Sequence, residues 1–237
     1  MITGLDHLVV RASFVKGAVG AYETVLGRKA ADGRLQAGNV GLLFEDDAAT
    51  AQLAGLVFAT ASLDKARRLL ERRALDLSLA STYGVPIALV ERSEPPPPSS
   101  LLEGGEAASI SALDHVVVRT PNPERAIALY AGRLGLDLRL DRSNPDWGQR
   151  LLFFRCGDLV IEMAHDLKAG VSNGPDELWG LSWRTPDIAL CNKRLKDAGV
   201  EVSEPRTGRR PGTQVFTVTS HTANVPTIVI GGLWRWQ

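Results

Sequence analysis

One carboxylate in the second half of the chain lies among apolar residues of a predicted strand. Glu162 lies between Ile161 and Met163, in an apolar stretch typical of a β-strand. Burying an unpaired carboxylate is costly, so this side chain needs a cation, a histidine or another hydrogen-bond donor beside it. The sequence therefore indicates a functional carboxylate, and a general base is one role that it could fill.

A repeated segment places a histidine in the same context twice. The segment LDHLVVR at Leu5–Arg11 returns as LDHVVVR at Leu113–Arg119, and Tyr22 recurs as Tyr130 at the same offset. Duplicated modules bury their apolar faces against one another, and ligand sites are often found where such faces meet. The repeat thus predicts two related halves with a site between modules.

Composition narrows the class of protein. The chain has 237 residues with 44% hydrophobic and 23% charged content, and its 27 basic and 27 acidic residues cancel. A nucleic-acid-binding protein would normally carry a basic excess, so no nucleic-acid partner is expected. Cys156 and Cys191 do not form a C-x-x-C motif, and we expect small buried thiols in a cytoplasmic protein. We also expect neither a membrane span nor a signal peptide.

The elements that must position these residues follow from periodicity and breakers. In the second half we predict a βαβββ module: a strand at Leu113–Arg119, a helix capped by Asn122 with Pro123 at its first position, and three further strands. Those three are Leu136–Leu140, Gln149–Cys156 and Leu159–Ala164. A weaker copy follows, with strands at Leu178–Arg184, Thr213–Val218 and Thr227–Ile230 and a helix at Asp187–Ala198.

The first half has the same order of elements but is shortened by about one hairpin. Strands are predicted at Leu5–Arg11, near Val40–Glu45, at Leu53–Ala59 and near Ile87–Glu91, with helices near Phe14–Leu26 and Leu63–Arg73. Four prolines within Ser93–Ser100 indicate an extended linker. We therefore predict an α+β fold of four modules in two domains, 1–92 and 112–237, joined by a linker at 93–111.

Three segments of the second half resemble the vicinal oxygen chelate superfamily, which includes glyoxalase I, the bleomycin resistance proteins and the extradiol dioxygenases. They are LDHVVVRTPNPERAIALY at Leu113–Tyr130, LGLD at Leu134–Asp137 and GDLVIEM at Gly157–Met163. The resemblance extends over Leu178–Ile230 and, more weakly, over Leu5–Glu91. It implies tandem βαβββ modules whose sheets curl into a cup. It also implies a divalent metal such as Zn, Ni, Fe or Mn in that cup, acting as a Lewis acid.

The resemblance implies metal ligands at a histidine early in the first strand of a module and a glutamate in its last strand. The third module has both, His115 and Glu162, and the first has His7 alone. In the fourth module these positions fall on Gly180 and Ile228. Tight catalytic sites normally have three protein ligands, and His7, His115 and Glu162 would make such a set only if the first and third modules shared a cup. The alternative is that each histidine bonds a neighbouring carboxylate or carbonyl, which we favour for His7 and leave open for His115.

A second feature concerns anion binding. Arg11, Arg119 and Arg184 each lie four residues past a first-strand ligand position, on the same face of their strands. Such guanidinium groups could hold a carboxylate or phosphate, although a strand's last residue often simply reaches water. Arg209 and Arg210 lie in a basic loop that is either a lid over an anionic ligand or a solvated turn.

Aromatic residues are concentrated in the second half. Trp147 and Trp179 are the candidates for ligand contact, whereas alternation places Trp183 on the helix side. We expect His165 and His221 to be solvated.

Two functions are compatible with these patterns. In the first, the chain is an enzyme of lyase, isomerase or dioxygenase type, with His115 and Glu162 as catalytic residues that act through a metal or with Glu162 as a metal-free base. In the second, it is a metal-free protein that sequesters a small molecule, as the resistance proteins do. A homodimer is compatible with either function.

Overall fold

The computed structural model describes residues 1–47, 51–94 and 107–232. Most of the predicted linker at 93–111 lies outside the described residues. Thirteen strands, four α-helices, a π-helical segment and a short 3₁₀ helix are found in that part of the chain. The strands are β1 (Ile2–Ala12), β2 (Arg34–Ala37), β3 (Val40–Asp46), β4 (Gln52–Thr60), β5 (Ile87–Glu91), β6 (Ala112–Arg119), β7 (Asp137–Asn144), β8 (Gln149–Cys156), β9 (Leu159–Asp166), β10 (Glu177–Arg184), β11 (Arg206–Thr207), β12 (Thr213–Val218) and β13 (Thr227–Gly232). The helices are α1 (Val15–Leu26), α2 (Leu63–Arg72), α3 (Pro123–Ile127) and α4 (Ile188–Asp197).

The strands form two mixed sheets, as expected for an α+β fold. The first half makes a five-stranded sheet in the order β2-β3-β1-β4-β5. The second half makes an eight-stranded sheet in the order β11-β12-β13-β10-β6-β9-β8-β7. In the second sheet β6 runs parallel to β9, and β9 runs antiparallel to β8.

The sheets are shared between two compact units. Among the described residues, unit 1 consists of 1–8, 54–94 and 115–179. Unit 2 consists of 9–47, 51–53, 107–114 and 180–232. Each unit therefore draws on both halves of the sequence, and the division into domains at 1–92 and 112–237 stays a prediction.

In unit 1, strands β6, β8 and β9 have one buried and one partly open face, because successive side chains of a strand point to opposite sides. The buried face is apolar and packs with the helix that starts at Pro123. Its residues include Val116, Val118, Leu152, Phe154, Ile161 and Met163, all with exposures of 0%. The open face carries His115, Arg119, Phe153, Arg155, Glu162 and Ala164.

The helix of this module begins as predicted and then widens. The Asn122 side chain accepts a hydrogen bond from the Arg125 N–H at 3.1 Å, and Pro123 is the first helical residue. From Ala128 to Arg133 the helix continues with π-type hydrogen bonding, where a regular α-helix was expected. Leu129 and Tyr130, in this segment, are both in the core, each with an exposure of 0%.

Unit 2 has its own core around Trp183, which is fully buried as expected from alternation. Its two helices are tied together by Arg194, whose guanidinium donates to the carbonyl oxygens of Thr24 at 3.0 Å and Val25 at 2.7 Å. These carbonyls belong to the last turn of α1 and have no partner within the helix. A basic side chain there also complements the negative end of the helix dipole.

The structure also bears on the predictions for the first module, the two cysteines and a membrane span. Two strands follow α1, whereas three follow the corresponding helix of the third module, so the first module lacks one strand of that pattern rather than a hairpin. Cys156 and Cys191 are buried free thiols, as expected, and burial raises the pKa of both. No helix in the described ranges is long and apolar enough to span a membrane.

Candidate active site

His115 and Glu162 come together on the open face of unit 1. His115 is paired with Val160 across β6 and β9, and Val117 with Glu162, so the two side chains point to the same side of the sheet. The distance from His115 Nε2 to Glu162 Oε2 is 3.5 Å, and the side chains are 15% and 13% exposed. The His115 imidazole is therefore one of the partners that the Glu162 carboxylate was predicted to need.

The separation leaves the carboxylate capable of engaging a third partner. A catalytic hydrogen bond normally spans about 2.6–3.2 Å, and such contacts are often longer before a ligand binds. At 3.5 Å, the pair is not locked into a tight ion pair. The partly open Phe153 is paired with Glu162 on the neighbouring strand and makes this part of the face apolar.

The donor set fits a metal ion only in part. Two ligands of one tetrahedral ion lie roughly 3.4 Å apart when each metal–ligand distance is about 2.1 Å, which is close to the 3.5 Å between His115 and Glu162. A resident metal needs a third protein ligand, however, and among the described residues no group of three or more His, Cys, Asp or Glu side chains could hold a metal ion. His7, His115 and Glu162 therefore do not form such a group.

The corresponding positions of the fourth module offer no donor. Ile228 is apolar, and Gly180 has no side chain for a structural reason: a Cβ there would lie 2.7 Å from the carbonyl oxygen of Pro226. A histidine at Gly180 would therefore require the backbone to move.

His7 has the alternative role that we favoured. Its Nδ1 lies 2.6 Å from Asp6 Oδ2, and Asp6 is buried with an exposure of 4%. The same carboxylate accepts a hydrogen bond from Arg92. His7 thus bonds a neighbouring acid that a guanidinium also holds, and its interpretation as a metal ligand stays a prediction.

The three periodic arginines have different surroundings. Arg184 does not reach water at the end of its strand: it is buried, and its Nε donates to Asp114 Oδ1 at 2.9 Å. Arg11 lies near Glu45 at 3.4 Å and Asp47 at 3.9 Å. Arg119 is exposed, and its guanidinium lies 4.4 Å from the centroid of the Trp179 ring.

Trp147, Arg209 and Arg210 are the remaining predicted ligand contacts. Trp147 is half-buried in a short 3₁₀ turn and lies under the guanidinium of Arg142, at 5.2 Å from the ring centroid. Arg209 and Arg210 lie in the turn between β11 and β12 of unit 2. Their roles in ligand binding stay predictions.

The expectation for His165 was wrong, whereas that for His221 was not. His165 is only 4% exposed, and its Nδ1 lies 3.0 Å from the carbonyl oxygen of Thr120. Alternation contains the missed signal, because Ile161, Met163 and His165 share the buried face of β9. His221 is exposed in a turn.

A buried acid that the sequence did not single out lies close to the end of β6. Asp176 Oδ1 accepts hydrogen bonds from Thr120 Oγ1 and Arg125 at 2.8 Å each. Three buried polar atoms of this cluster, Asp176 Oδ2, Tyr130 Oη and Arg125 Nε, have no hydrogen-bond partner in the described part of the chain. Burial raises the pKa of Tyr130, and the nearby charge of Asp176 adds to this effect.

Asp176 gives a prediction of how the folding stability of the protein changes with pH. Burial raises the pKa of Asp176 above its usual value, although Thr120 and Arg125 favour the charged form. Between the unfolded and folded pKa the native state then binds more protons than the unfolded state, so its stability falls as pH rises through this window. Asp176→Asn removes the titration. We expect the stability of the wild type relative to this variant to decrease from about pH 4 upward, with a slope of at most about 1.4 kcal/mol for each pH unit in the window.

Urea unfolding of both proteins at several pH values measures this difference. Asp64→Asn, an exposed acid in the first turn of α2, is the control. A difference between wild type and Asp176→Asn that is constant or grows with pH would contradict the assignment.

The fold and the site define an α+β protein with an acid–imidazole pair on an open sheet face. Residues 114–217 match the model of the Glyoxalase/Bleomycin resistance protein/Dioxygenase superfamily. This part of the chain is therefore similar to the superfamily that the sequence motifs resemble.

Two similar proteins extend this comparison. An ethylmalonyl-CoA/methylmalonyl-CoA epimerase from Cereibacter sphaeroides is 29% identical over 109 residues, which cover 42% of this chain and 81% of the relative. A triple mutant of 4-hydroxymandelate synthase from Streptomyces coelicolor matches 100% of this chain and 94% of its own, with a TM-score of 0.72 and 14% identity. At that identity the likeness concerns the fold alone.

Proposed function

We propose that this chain is an enzyme that moves a proton at the carbon next to a carbonyl group of a small molecule. Glu162 is the base and His115 is its partner. The observation that carries the proposal is the 3.5 Å separation of His115 Nε2 and Glu162 Oε2 on one partly open sheet face. Glu162 takes the proton from carbon, and an imidazole N–H of His115 donates to the oxygen on which negative charge develops.

The positions of the two groups limit the type of reaction. Both project from the same side of paired strands, so they approach a bound molecule from one side. Inversion at carbon would need a second acid on the opposite side, whereas tautomerisation and proton exchange with retention need only these two. We therefore favour an isomerase-type reaction through an enolate.

A metal-assisted reaction is the variant of this proposal that the superfamily suggests. His115 and Glu162 supply two ligands, and water and substrate oxygens would have to complete the shell. If bound, a divalent ion would polarise the substrate carbonyl as a Lewis acid. Because the described residues supply no third protein ligand, we assign the proton transfer to the side chains themselves.

The second candidate function is sequestration of a small molecule without a reaction. The observation that favours it is the lack of a donor at Gly180 and Ile228, two positions where the superfamily pattern expects ligands. A binder of this kind would hold its ligand on the open face, beside Phe153, and leave its protons in place.

The test is deuterium incorporation from D₂O. The probes are methylmalonyl-CoA, ethylmalonyl-CoA and a panel of 2-oxo acids, followed by mass spectrometry. The two CoA esters are included because the Cereibacter sphaeroides relative is named for them. We expect exchange at the carbon next to the carbonyl, with the same rate in chelator-treated protein and in protein supplied with Zn, Ni, Fe or Mn.

The other outcomes separate the alternatives. Exchange that a chelator abolishes and one metal restores would favour the metal-assisted reaction. Ligand-induced stabilisation without exchange above the protein-free rate would favour sequestration.

A further inference from the structure

The three arginines at equivalent strand positions differ in what their guanidinium groups contact. Arg11 has acidic neighbours, Glu45 and Asp47, and Arg184 is buried against Asp114. Arg119 is exposed, and its guanidinium makes no hydrogen bond or ion pair with the described part of the chain. Its guanidinium donors are therefore available to a ligand.

Stacking on an indole suits Arg119 for anion recognition. The guanidinium carbon lies 4.4 Å from the centroid of Trp179. A guanidinium stacked on a ring keeps its N–H groups, which lie in its own plane, available at its edge. Holding the group in place reduces the conformational freedom that binding would otherwise remove. A carboxylate can accept two parallel hydrogen bonds from such an edge.

Hydrogen bonds of the buried Asp176 hold the ends of the strands that carry Arg119 and Trp179. Thr120 follows Arg119, and its hydroxyl donates to the buried Asp176 at 2.8 Å. Asp176 lies three residues before Trp179 and donates its own N–H to the carbonyl oxygen of Tyr83 at 2.7 Å. The first bond ties the end of β6 to the start of β10, where the guanidinium and the indole meet, and the second anchors the same segment to the turn before β5.

The same sheet face places Arg119 beside the acid–imidazole pair. Arg119 is paired with Ala164 across β6 and β9, and Glu162 is the preceding residue on that face of β9. Same-face residues of one strand are about 7 Å apart. A molecule that reaches from Arg119 to Glu162 thus needs a carboxylate only a few bonds from its reacting carbon.

We infer that Arg119, stacked on Trp179, is a carboxylate-binding subsite that selects small acids or their monoesters and monothioesters over neutral esters. The position of the reacting carbon rests on the proposed function, whereas the binding of the carboxylate does not.

Malonate and its neutral diester, dimethyl malonate, are the probes. Binding is followed by protein fluorescence and by ligand-observed NMR at constant ionic strength. We expect saturable binding of malonate and not of dimethyl malonate. Arg119→Gln should weaken malonate binding about 10- to 100-fold, the loss of a charge-assisted hydrogen-bonded pair. Arg119→Lys should restore only part of it, because an ammonium lacks the planar fork.

The matched control is Arg139→Gln, which removes another exposed arginine of unit 1 that lies beside Asp137. It should leave the affinity for malonate unchanged. Equal affinity of wild type and Arg119→Gln, or the absence of saturable malonate binding by the wild type, would overturn the subsite.

The two proposals fail separately. Malonate binding that needs Arg119, combined with unchanged proton exchange in Glu162→Gln, would sustain the subsite and reject the catalytic base. Proton exchange that is lost in Glu162→Gln, combined with unchanged malonate affinity in Arg119→Gln, would support the catalytic base and reject the subsite.

Discussion

Replacing Glu162 with glutamine lowers the rate of proton exchange by about 10²- to 10⁴-fold, the usual contribution of a positioned general base. The amide has nearly the same shape as the carboxylate, but it cannot take a proton from carbon. The loss should fall on kcat and on kcat/KM alike, because proton transfer occurs only in the transition state. Deuterium incorporation at saturating and limiting substrate measures both quantities.

The surroundings of Glu162 predict that this variant folds normally. The carboxylate is 13% exposed and is not held in a tight ion pair, so the uncharged amide leaves no buried charge without compensation. Glu124→Gln is the matched control, since Glu124 lies in the same unit but is 73% exposed and paired with Arg150. It should exchange at the wild-type rate. A Glu162→Gln protein with full activity would show that another group is the base.

Two substitutions of His115 test, in the same assay, whether its imidazole N–H stabilises the developing oxyanion. His115→Asn removes the titratable imidazole, and His115→Gln keeps an N–H near the position of Nε2. If the imidazole donates to the developing oxyanion, the glutamine variant should retain more activity than the asparagine variant.

Local patterns predicted most elements of the fold, because their signals lie within a few residues of each other. The cap at Asn122 and the strand Gln149–Cys156 were predicted as observed. The short strands β2 and β11 were missed, since four and two residues offer too little periodicity. The π-type segment Ala128–Arg133 was missed because the apolar spacing of Ala126, Leu129 and Tyr130 is typical of a regular α-helix.

The site was predictable only where side-chain alternation or the family motif supplied non-local information. The pairing of His115 with Glu162 depends on the parallel register of β6 with β9, which no local pattern contains. Asp176 lies outside any motif, and its contacts with Thr120 and Arg125 arise only when a loop returns to the end of a strand. The buried position of His165, by contrast, follows from the alternation of β9.

The exposure of Arg184, at the end of β10, could not be predicted from its position in the strand. Arg11 and Arg184 hold equivalent positions in the predicted modules, yet one is 41% exposed as a side chain and the other 5%. Strand position alone cannot tell these cases apart, because the difference depends on what packs above each strand end. Their effects on stability should differ accordingly.

Replacing Arg184 with methionine should lower the free energy of unfolding by about 3–5 kcal/mol, because it removes one partner of a buried ion pair. Asp114, at 9% exposure, loses a hydrogen bond of 2.9 Å from the guanidinium while its carboxylate stays out of water. The double variant Asp114→Leu/Arg184→Met removes both charges and should regain most of this loss. Arg11→Met is the matched control and should change stability by less than about 1 kcal/mol, since its ion pairs are exposed. Urea unfolding measures all three variants. A loss of ligand affinity in Arg184→Met at unchanged stability would instead indicate that this guanidinium serves the ligand.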